Sequence, residues 1–557
     1  MARVVGSLSR GRQRAAVGAA VGAVIAAVAI AGSVGLGGAT TPRAASGPPR
    51  FVDETAAAGI DQVYDGPLAY FAGGGVATFD CNDDGRPEVY VAGGTSRARL
   101  FRNDSAVGGR LRFARIADAV TDLTSVTGAY PLDVDGDGNV DLAVLRIGEN
   151  VLLRGLGGCR FERANERWAF AGGSAATMAF AATWTAESAL PTMAFGNYVD
   201  PASHDPNALC YPNVLVQPKD GGTQFSAPIP LKPSWCALSM LFSDWDRSGR
   251  RDLRISNDSH YYVDGEEQLW RMEPGAAPRL YTADDGWVRV NVEGMGIASY
   301  DVTGDGYPEV FLTSQGSNRL QTLTSGPGKP TYRDIGLKRG VLADRPFTGG
   351  DTQPSTAWQP TFEDVNNDGF VDLFISKGNV RQQEGYAMRD PSNLLLGQAD
   401  GTFAESADRA GIVSYDLGRG AAVVDLNLDG LLDLVEVNLG SRTRVWRSVG
   451  AGDAGAGRPM GHWLALRLRQ PGANPDAIGA WIETRIGDAV ARRELTVGAG
   501  HGGGTLGWTH VGLGRATSAE VRVQWPDGEL GPWQRVNADG WFVLERGGAP
   551  RAWTPFR

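Results

Sequence analysis

The feature that most constrains this chain is periodic. A nine-residue acidic loop followed by a short apolar run starts at residues 80, 133, 183, 244, 301, 364 and 425, in steps of 53, 50, 61, 57, 63 and 61. Periods of this length, rich in turns and short strands, fit one four-stranded sheet per repeat better than a helical solenoid. The expected fold is all-β, with a seven-bladed β-propeller over residues 51–449. Aromatic segments recur in phase before the loops, at Phe51, Phe113, Phe161, Phe225, Tyr281, Tyr332 and Phe403, and an apolar strand follows each loop. The last repeat lacks a following aromatic segment, whereas the chain begins with a spare one at Phe51. The Phe51 strand is therefore expected to close the seventh blade and remove an exposed sheet edge.

The clearest loop is Asp133-Val-Asp135-Gly-Asp137-Gly138-Asn139-Val-Asp141. Side-chain oxygens at loop positions 1, 3, 5 and 9, with the carbonyl of position 7, can converge on one centre about 2.3–2.6 Å away, the all-oxygen arrangement that calcium takes. Glycine at position 6 allows a positive φ, which turns the later ligands back toward that centre. The further copies place Asp80, Asn82, Asp84, Arg86 and Glu88 at these positions, then Asp301, Thr303, Asp305, Tyr307 and Glu309. They continue with Asp364, Asn366, Asp368, Phe370 and Asp372, and with Asp425, Asn427, Asp429, Leu431 and Asp433. Arg86, Asn139, Tyr307, Phe370 and Leu431 contribute through their carbonyls. A weaker copy, Asp244, Asp246, Ser248 and Asp252, contains three arginines, which lower its expected affinity. The copy at Thr183-Trp-Thr185-Ala-Glu187 has lost its glycine and most carboxylates and is expected to be empty. The loops thus predict up to six Ca2+ sites with a mainly structural role.

These repeats resemble the FG-GAP (integrin α-like, VCBS) family over roughly residues 51–450. Downstream, Asn474-Pro-Asp-Ala-Ile478-Gly479-Ala480, Arg493-Glu494-Leu495, Gly500-His-Gly-Gly-Gly504 and Val521-Arg-Val-Gln-Trp525-Pro526-Asp-Gly528 resemble the ASPIC/UnbV module. The combination is similar to bacterial relatives of cartilage acidic protein. That resemblance implies two settings, since UnbV-like members are found beside enediyne biosynthesis genes and animal members in extracellular matrix. Residues 450–461, rich in Gly and Ala, are expected to be a flexible linker, residues 462–548 a small β-sandwich, and residues 549–557 a tail.

The N-terminus carries Arg3, Arg10, Arg12 and Arg14 ahead of an uncharged stretch from Ala15 to about Thr41. This reads as a targeting segment, either a cleaved signal or an uncleaved anchor that attaches the protein to a membrane through residues 15–41. Residues 42–50, with Pro42, Pro48 and Pro49, follow as a short linker. The globular part is extracytoplasmic on both readings. There Cys81, Cys159, Cys210 and Cys236 allow three pairings. Cys210–Cys236 is favoured because both lie between the third and fourth loops, which leaves Cys81–Cys159. The net charge is −10, and because residues 1–40 hold four arginines and no acid, the remainder carries −14. That argues against nucleic acid as a partner.

His501-Gly-Gly-Gly504 matches an oxyanion-hole string, but no G-x-S-x-G elbow accompanies it, so it reads as a glycine-rich turn between sandwich strands. His204, His260, His462, His501 and His510 show no metal-ligand spacing. Three function classes follow. The first is a secreted or membrane-anchored binding or adhesion scaffold with a protein or glycan ligand. The second is an enzyme or accessory protein of secondary-metabolite (enediyne-like) biosynthesis with an axial pocket. The third is a structural cell-envelope protein.

Overall fold

The computed structural model describes residues 47–185, 188–200, 209–258, 264–451 and 460–555. The stretch expected to be a targeting segment, Glu187, His204, His260 and most of the Gly/Ala linker lie outside these residues. Among the described residues no helix is long and apolar enough to cross a membrane.

Among the described residues seven four-stranded antiparallel sheets follow one another, the first extended by the parallel strand Thr505–Leu506 beside Val76–Phe79, and each acidic loop joins the first strand of a sheet to its second. The first strands are Val76–Phe79, Val126–Leu132, Thr177–Thr183, Ala237–Ser243, Gly294–Tyr300, Ala357–Glu363 and Leu417–Val424. Each of them contacts the next, and the last contacts the first, so the sheets close a ring as blades of a propeller. Val126–Leu132 and Thr177–Thr183 are buried along their whole length because neighbouring sheets cover both faces.

Apolar side chains fill every seam between adjacent sheets. Phe79, Leu142 and Val435 belong to one cluster that spans the seventh, first and second sheets. Phe374 and Leu394 of the sixth sheet meet Leu434 and Trp446 of the seventh.

The Phe51 strand, Pro49–Asp53, is the outer strand of the seventh sheet and pairs antiparallel with Arg444–Ala451, Phe51 opposite Ser448. The expected aromatic strand at Phe225 lies elsewhere: the fourth strand of the third sheet is Ile229–Leu231. Phe225 instead packs its ring 6.2 Å from Phe170 in the seam. Disulfides join Cys81 to Cys159 and Cys210 to Cys236, the pairing favoured above. The first staples the loop of sheet one to the outer hairpin of sheet two.

The C-terminal module is two four-stranded sheets with a shared core of Leu464, Leu466, Ile482, Val521, Val523 and Leu544. His462–Arg469 lies between antiparallel Thr509–Gly514 and parallel Gly540–Glu545. Arg551–Trp553 forms the outer strand of that sheet, so the module continues past residue 548 into the stretch expected to be a tail.

Candidate functional site: the acidic loops and the module docked on them

Six loops share one internal geometry. The position-1 carboxylate accepts a hydrogen bond from the position-6 glycine N–H, at 2.9 Å for Asp80–Gly85, 2.8 Å for Asp133–Gly138 and 3.0 Å for Asp244–Gly249. The corresponding distances are 3.1 Å for Asp301–Gly306, 2.7 Å for Asp364–Gly369 and 2.8 Å for Asp425–Gly430. Those glycines have φ between 81° and 96°, a region closed to most side chains. Position 5 accepts from the N–H of position 7, as in Asp137–Asn139 at 2.8 Å and Asp429–Leu431 at 3.0 Å. The position-9 carboxylate is a strut. Asp141 accepts from Val134 N–H at 2.7 Å and from Gly155 N–H on the third strand at 2.7 Å. Asp372 and Asp433 repeat this with Val365 and Gly397, and with Leu426 and Ser448.

These bonds leave oxygens over. Asp80 Oδ1, Asp135 Oδ1, Asp301 Oδ1 and Asn427 Oδ1 are buried without a hydrogen-bond partner. They occupy position 1 in two loops and position 3 in two others. A buried acceptor without a partner costs about 1–3 kcal/mol. Burial, and after it the neighbouring carboxylates, push the carboxyls up: Asp133 to about 6, Glu309 to about 7, and Glu88 and Asp425 to about 8. Oxygen atoms of Asp133, Asp135 and Asp141 lie within 4.8 Å of one another, compact enough to share one cation. Such a cation would satisfy the leftover lone pairs and offset the mutual repulsion. The equally compact group Cys81, Glu88 and Cys159 offers no thiolate, because its sulfurs form the disulfide.

The C-terminal module sits on these loops. Arg467 pairs with Asp80 at 3.4 Å and Arg492 with Asp301 at 3.2 Å, while Arg493 donates to Glu363 at 2.8 Å. His510 Nε2 lies 2.6 Å from Asn367 Oδ1. The fit is close enough that a Cβ on Gly430 would fall 1.9 Å from the Trp463 ring and one on Gly512 would fall 1.9 Å from Asp364 Oδ2.

From this module the segment Val497–Trp508 enters the axis of the ring, so the His501-Gly-Gly-Gly504 string is a plug and not a turn between sandwich strands. Backbone hydrogen bonds join it to the first strands of successive sheets. Thr78 N–H bonds Gly504 O at 3.1 Å, Ala129 N–H bonds Gly502 O at 3.0 Å, and Ala182 N–H bonds Val497 O at 2.9 Å. Ala499 N–H bonds Met240 O at 2.6 Å and Gly500 N–H bonds Ile297 O at 2.7 Å. His501 N–H bonds Gln359 Oε1 of the sixth sheet. The glycines are required by contact: a Cβ on Gly75 would lie 1.7 Å from Gly502 O, and one on Gly503 would lie 1.9 Å from Val76 O. His501 is fully buried 5.0 Å from the Trp358 ring, and burial beside Arg419 drives its pKa down to about 4.

The FG-GAP-like repeat family matches residues 80–144, 301–375 and 364–436, and the family described as ASPIC and UnbV matches residues 470–551. The chain carries FG-GAP-like repeats and an ASPIC and UnbV domain. Cartilage acidic protein 1 of Mus musculus is 26% identical over 239 residues, 42% of this chain and 34% of that protein. The Homo sapiens protein is 25% identical over the same length, 42% of this chain and 33% of its own. The chain therefore spans about a third of the length of these curated relatives. Among solved structures, an Agrocybe aegerita lectin described as recognising non-reducing terminal N-acetylglucosamine aligns with TM-score 0.38 and 14% identity. It covers 65% of this chain and 88% of that one.

One FG-GAP loop departs from the others. In the loop at residue 244, Arg250 pairs with Asp252 at 2.8 Å, and Asp252 also accepts from Trp245 Nε1 at 2.9 Å and Tyr281 hydroxyl at 2.8 Å. Its position-9 carboxylate is already neutralised by a guanidinium. The other two arginines face the ASPIC/UnbV domain. Arg247 bonds Gln524 at 2.6 Å and stacks 4.1 Å from the Trp481 ring, and Arg251 bonds Pro526 O at 3.0 Å. Glu494 of the domain accepts from Ser243 hydroxyl at 2.7 Å and Asp244 N–H at 2.9 Å.

The sequence spacing marked the acidic positions of all six loops but gave no sign of their outside partners. Arg154, on the third strand of the second sheet, pairs with Asp135 at 2.7 Å and with Asp137. The glycine density of residues 498–507 was the one available signal for the plug.

Proposed function

We propose that this protein is an exported, calcium-stabilised binding scaffold. The FG-GAP loops beginning at Asp80, Asp133, Asp301, Asp364 and Asp425 hold Ca2+, fixing the hairpins on which the ASPIC/UnbV domain rests, and the ring recognises a protein or glycan at its other end. The observation that carries this reading is the set of buried oxygens without partners at Asp80, Asp135, Asp301 and Asn427, each at a ligand position of its loop. Calcium would supply a multivalent counter-charge that cross-links residues of one loop and leaves the chemistry of the chain unchanged. Two disulfides fit an oxidising compartment outside the cytoplasm. The loop at Asp244 is left out, because Ser248 replaces the position-5 carboxylate and Arg250, from within the loop itself, holds the position-9 carboxylate of Asp252.

The test is a thermal melt of the purified protein in chelator and across a calcium titration, with metal content measured beside it. A saturable rise in melting temperature supports the reading. A flat response with no bound metal would overturn it. Asp137→Ala should lower the melting temperature in calcium and change it little in chelator, and equal losses in both media would argue against a metal at that loop.

A further inference from the structure

A cavity of about 220 Å3 lies between the loop end of the ring and the C-terminal module, beside the plug. The ring lines it with Gly85 and Pro87 of the first loop and with Leu428 and Leu432 of the seventh. Ala465 and Arg467 of the module strand His462–Arg469 face it, as does Trp541, and the plug adds Thr505 and Trp508. Thr505 is exposed and Gly507, Trp508 and Trp541 are half-buried, so the cavity reaches solvent beside them.

Two N–H donors in its wall have no acceptor. Among the described residues Arg467 Nε and Trp508 Nε1 are buried without a hydrogen-bond partner. The two side chains are held side by side, with the Arg467 guanidinium 4.6 Å from the centre of the Trp508 ring. Trp553 packs 5.1 Å from the same ring, so turning the indole N–H elsewhere would break both contacts. A buried donor left unmet costs about 1–3 kcal/mol, which an oxygen acceptor in the cavity would relieve. A cavity of about 150 Å3 holds one benzene, so the larger space here has room for a six-membered ring with substituents. The lining carries Asp80, Glu363, Asp425, Asp476 and Glu494 against Arg467 and Arg493, so an anion gains no net attraction from these side chains.

We propose that this cavity binds a neutral polyhydroxylated six-membered ring, the size of one monosaccharide or cyclitol, whose oxygens accept from Arg467 Nε and Trp508 Nε1. A hydroxyl accepts and donates, so the same ring can meet the two N–H groups with its lone pairs and offer its own O–H groups to the carboxylates of the lining. An ammonium or guanidinium ligand has no lone pair for the two donors, and a plain hydrocarbon ring would leave them unmet. The site lies between ring and module, apart from the far end that the scaffold reading takes as its recognition surface, and it stands without that reading.

The experiment is isothermal titration calorimetry of the full protein with calcium present, using glucose, galactose and myo-inositol as neutral rings, glucuronate as an anionic ring and cyclohexanol as a ring with a single hydroxyl. Saturable binding of at least one neutral polyol is expected, with glucuronate weaker and cyclohexanol silent. Trp508→Phe keeps an aromatic ring and removes the N–H, and it should lower affinity roughly tenfold, the worth of one hydrogen bond of about 1.4 kcal/mol. Arg467→Lys keeps a positive charge beside Asp80 and removes Nε–H, and a loss of similar size is expected; it carries the test should Trp508→Phe not fold. No saturable heat with any neutral polyol up to about 50 mM, cyclohexanol or glucuronate binding more tightly than every polyol, or unchanged affinity in a folded variant overturns the proposal. A calcium-responsive melt without polyol binding would sink this inference alone, and polyol binding without a calcium response would sink the calcium reading alone.

Discussion

Gly75→Ala tests whether the plug holds ring and module together. The new Cβ would lie 1.7 Å from Gly502 O and 2.3 Å from Gly502 C, and both are backbone atoms that cannot rotate aside. A tolerable carbon–oxygen contact is about 3.2 Å, so the plug or the strand must move by roughly 1.5 Å. That movement breaks the bonds from Ala129 N–H to Gly502 O and from Thr78 N–H to Gly504 O, now 3.0 and 3.1 Å long. Each bond contributes about 1 kcal/mol, and overpacking of a filled interior adds about 1–3 kcal/mol, so a loss of about 3–5 kcal/mol is expected. Calorimetry with hydrogen exchange is the assay, because the loss should be accompanied by faster exchange at Ala129 and Thr78. Gly138→Ala is the control: a Cβ there meets nothing within 4 Å, and only its φ of 87° is unfavourable, at about 1–2 kcal/mol. A Gly75→Ala protein within 1 kcal/mol of wild type and with unchanged exchange would refute the plug.

Three further outcomes follow from particular contacts. Wild type is expected to bind five calcium ions per chain by elemental analysis, and Arg250→Gln to bind one more by freeing Asp252; six ions in the wild type would refute the counter-ion role of Arg250. Replacing Cys81 and Cys159 by serine, which opens a link between residues 78 apart, should lower unfolding free energy in denaturant by about 4 kcal/mol on the chain-entropy account; a change under 1 kcal/mol would show the link to be energetically idle. His501 is held neutral beside Arg419 with a pKa lowered to about 4. Its stabilising effect is complete above the unfolded value near 6.5 and is lost as pH falls toward the folded value. At pH 5 wild type should have lost about 2 kcal/mol that His501→Gln does not lose, so identical pH profiles of the two would remove the imidazole from the account.

The ring was legible in the sequence because its signals are local. A loop of the form Asp133-Val-Asp135-Gly-Asp137-Gly138 fixes its own turn through bonds among its own residues. Seven repeats at near-constant spacing then phase the strands, and the spare Phe51 strand could pair only with an open edge. The shared hydrogen bonding of the six loops was legible for the same reason. The fourth strand of the third sheet was not, because Phe225 satisfies the aromatic pattern while serving the seam beside Phe170.

What tertiary structure alone decided is everything that joins residues hundreds of positions apart. Arg467 reaches Asp80 and Arg492 reaches Asp301, and nothing in either short stretch specifies the other. His501-Gly-Gly-Gly504 reads locally as a turn, and it becomes a plug because Gly75 and Gly128, from two other sheets, leave room for its backbone. Arg250 cancels Asp252 through a contact inside one loop, which the sequence hinted at by its three arginines, but Arg247 and Arg251 acquire their roles only from the module above them. The chain's own periodicity therefore determined the ring and its acidic loops. Long-range packing decided which loop carboxylates meet a guanidinium of the module, because charge compensation depends on distances in space that sequence spacing does not encode.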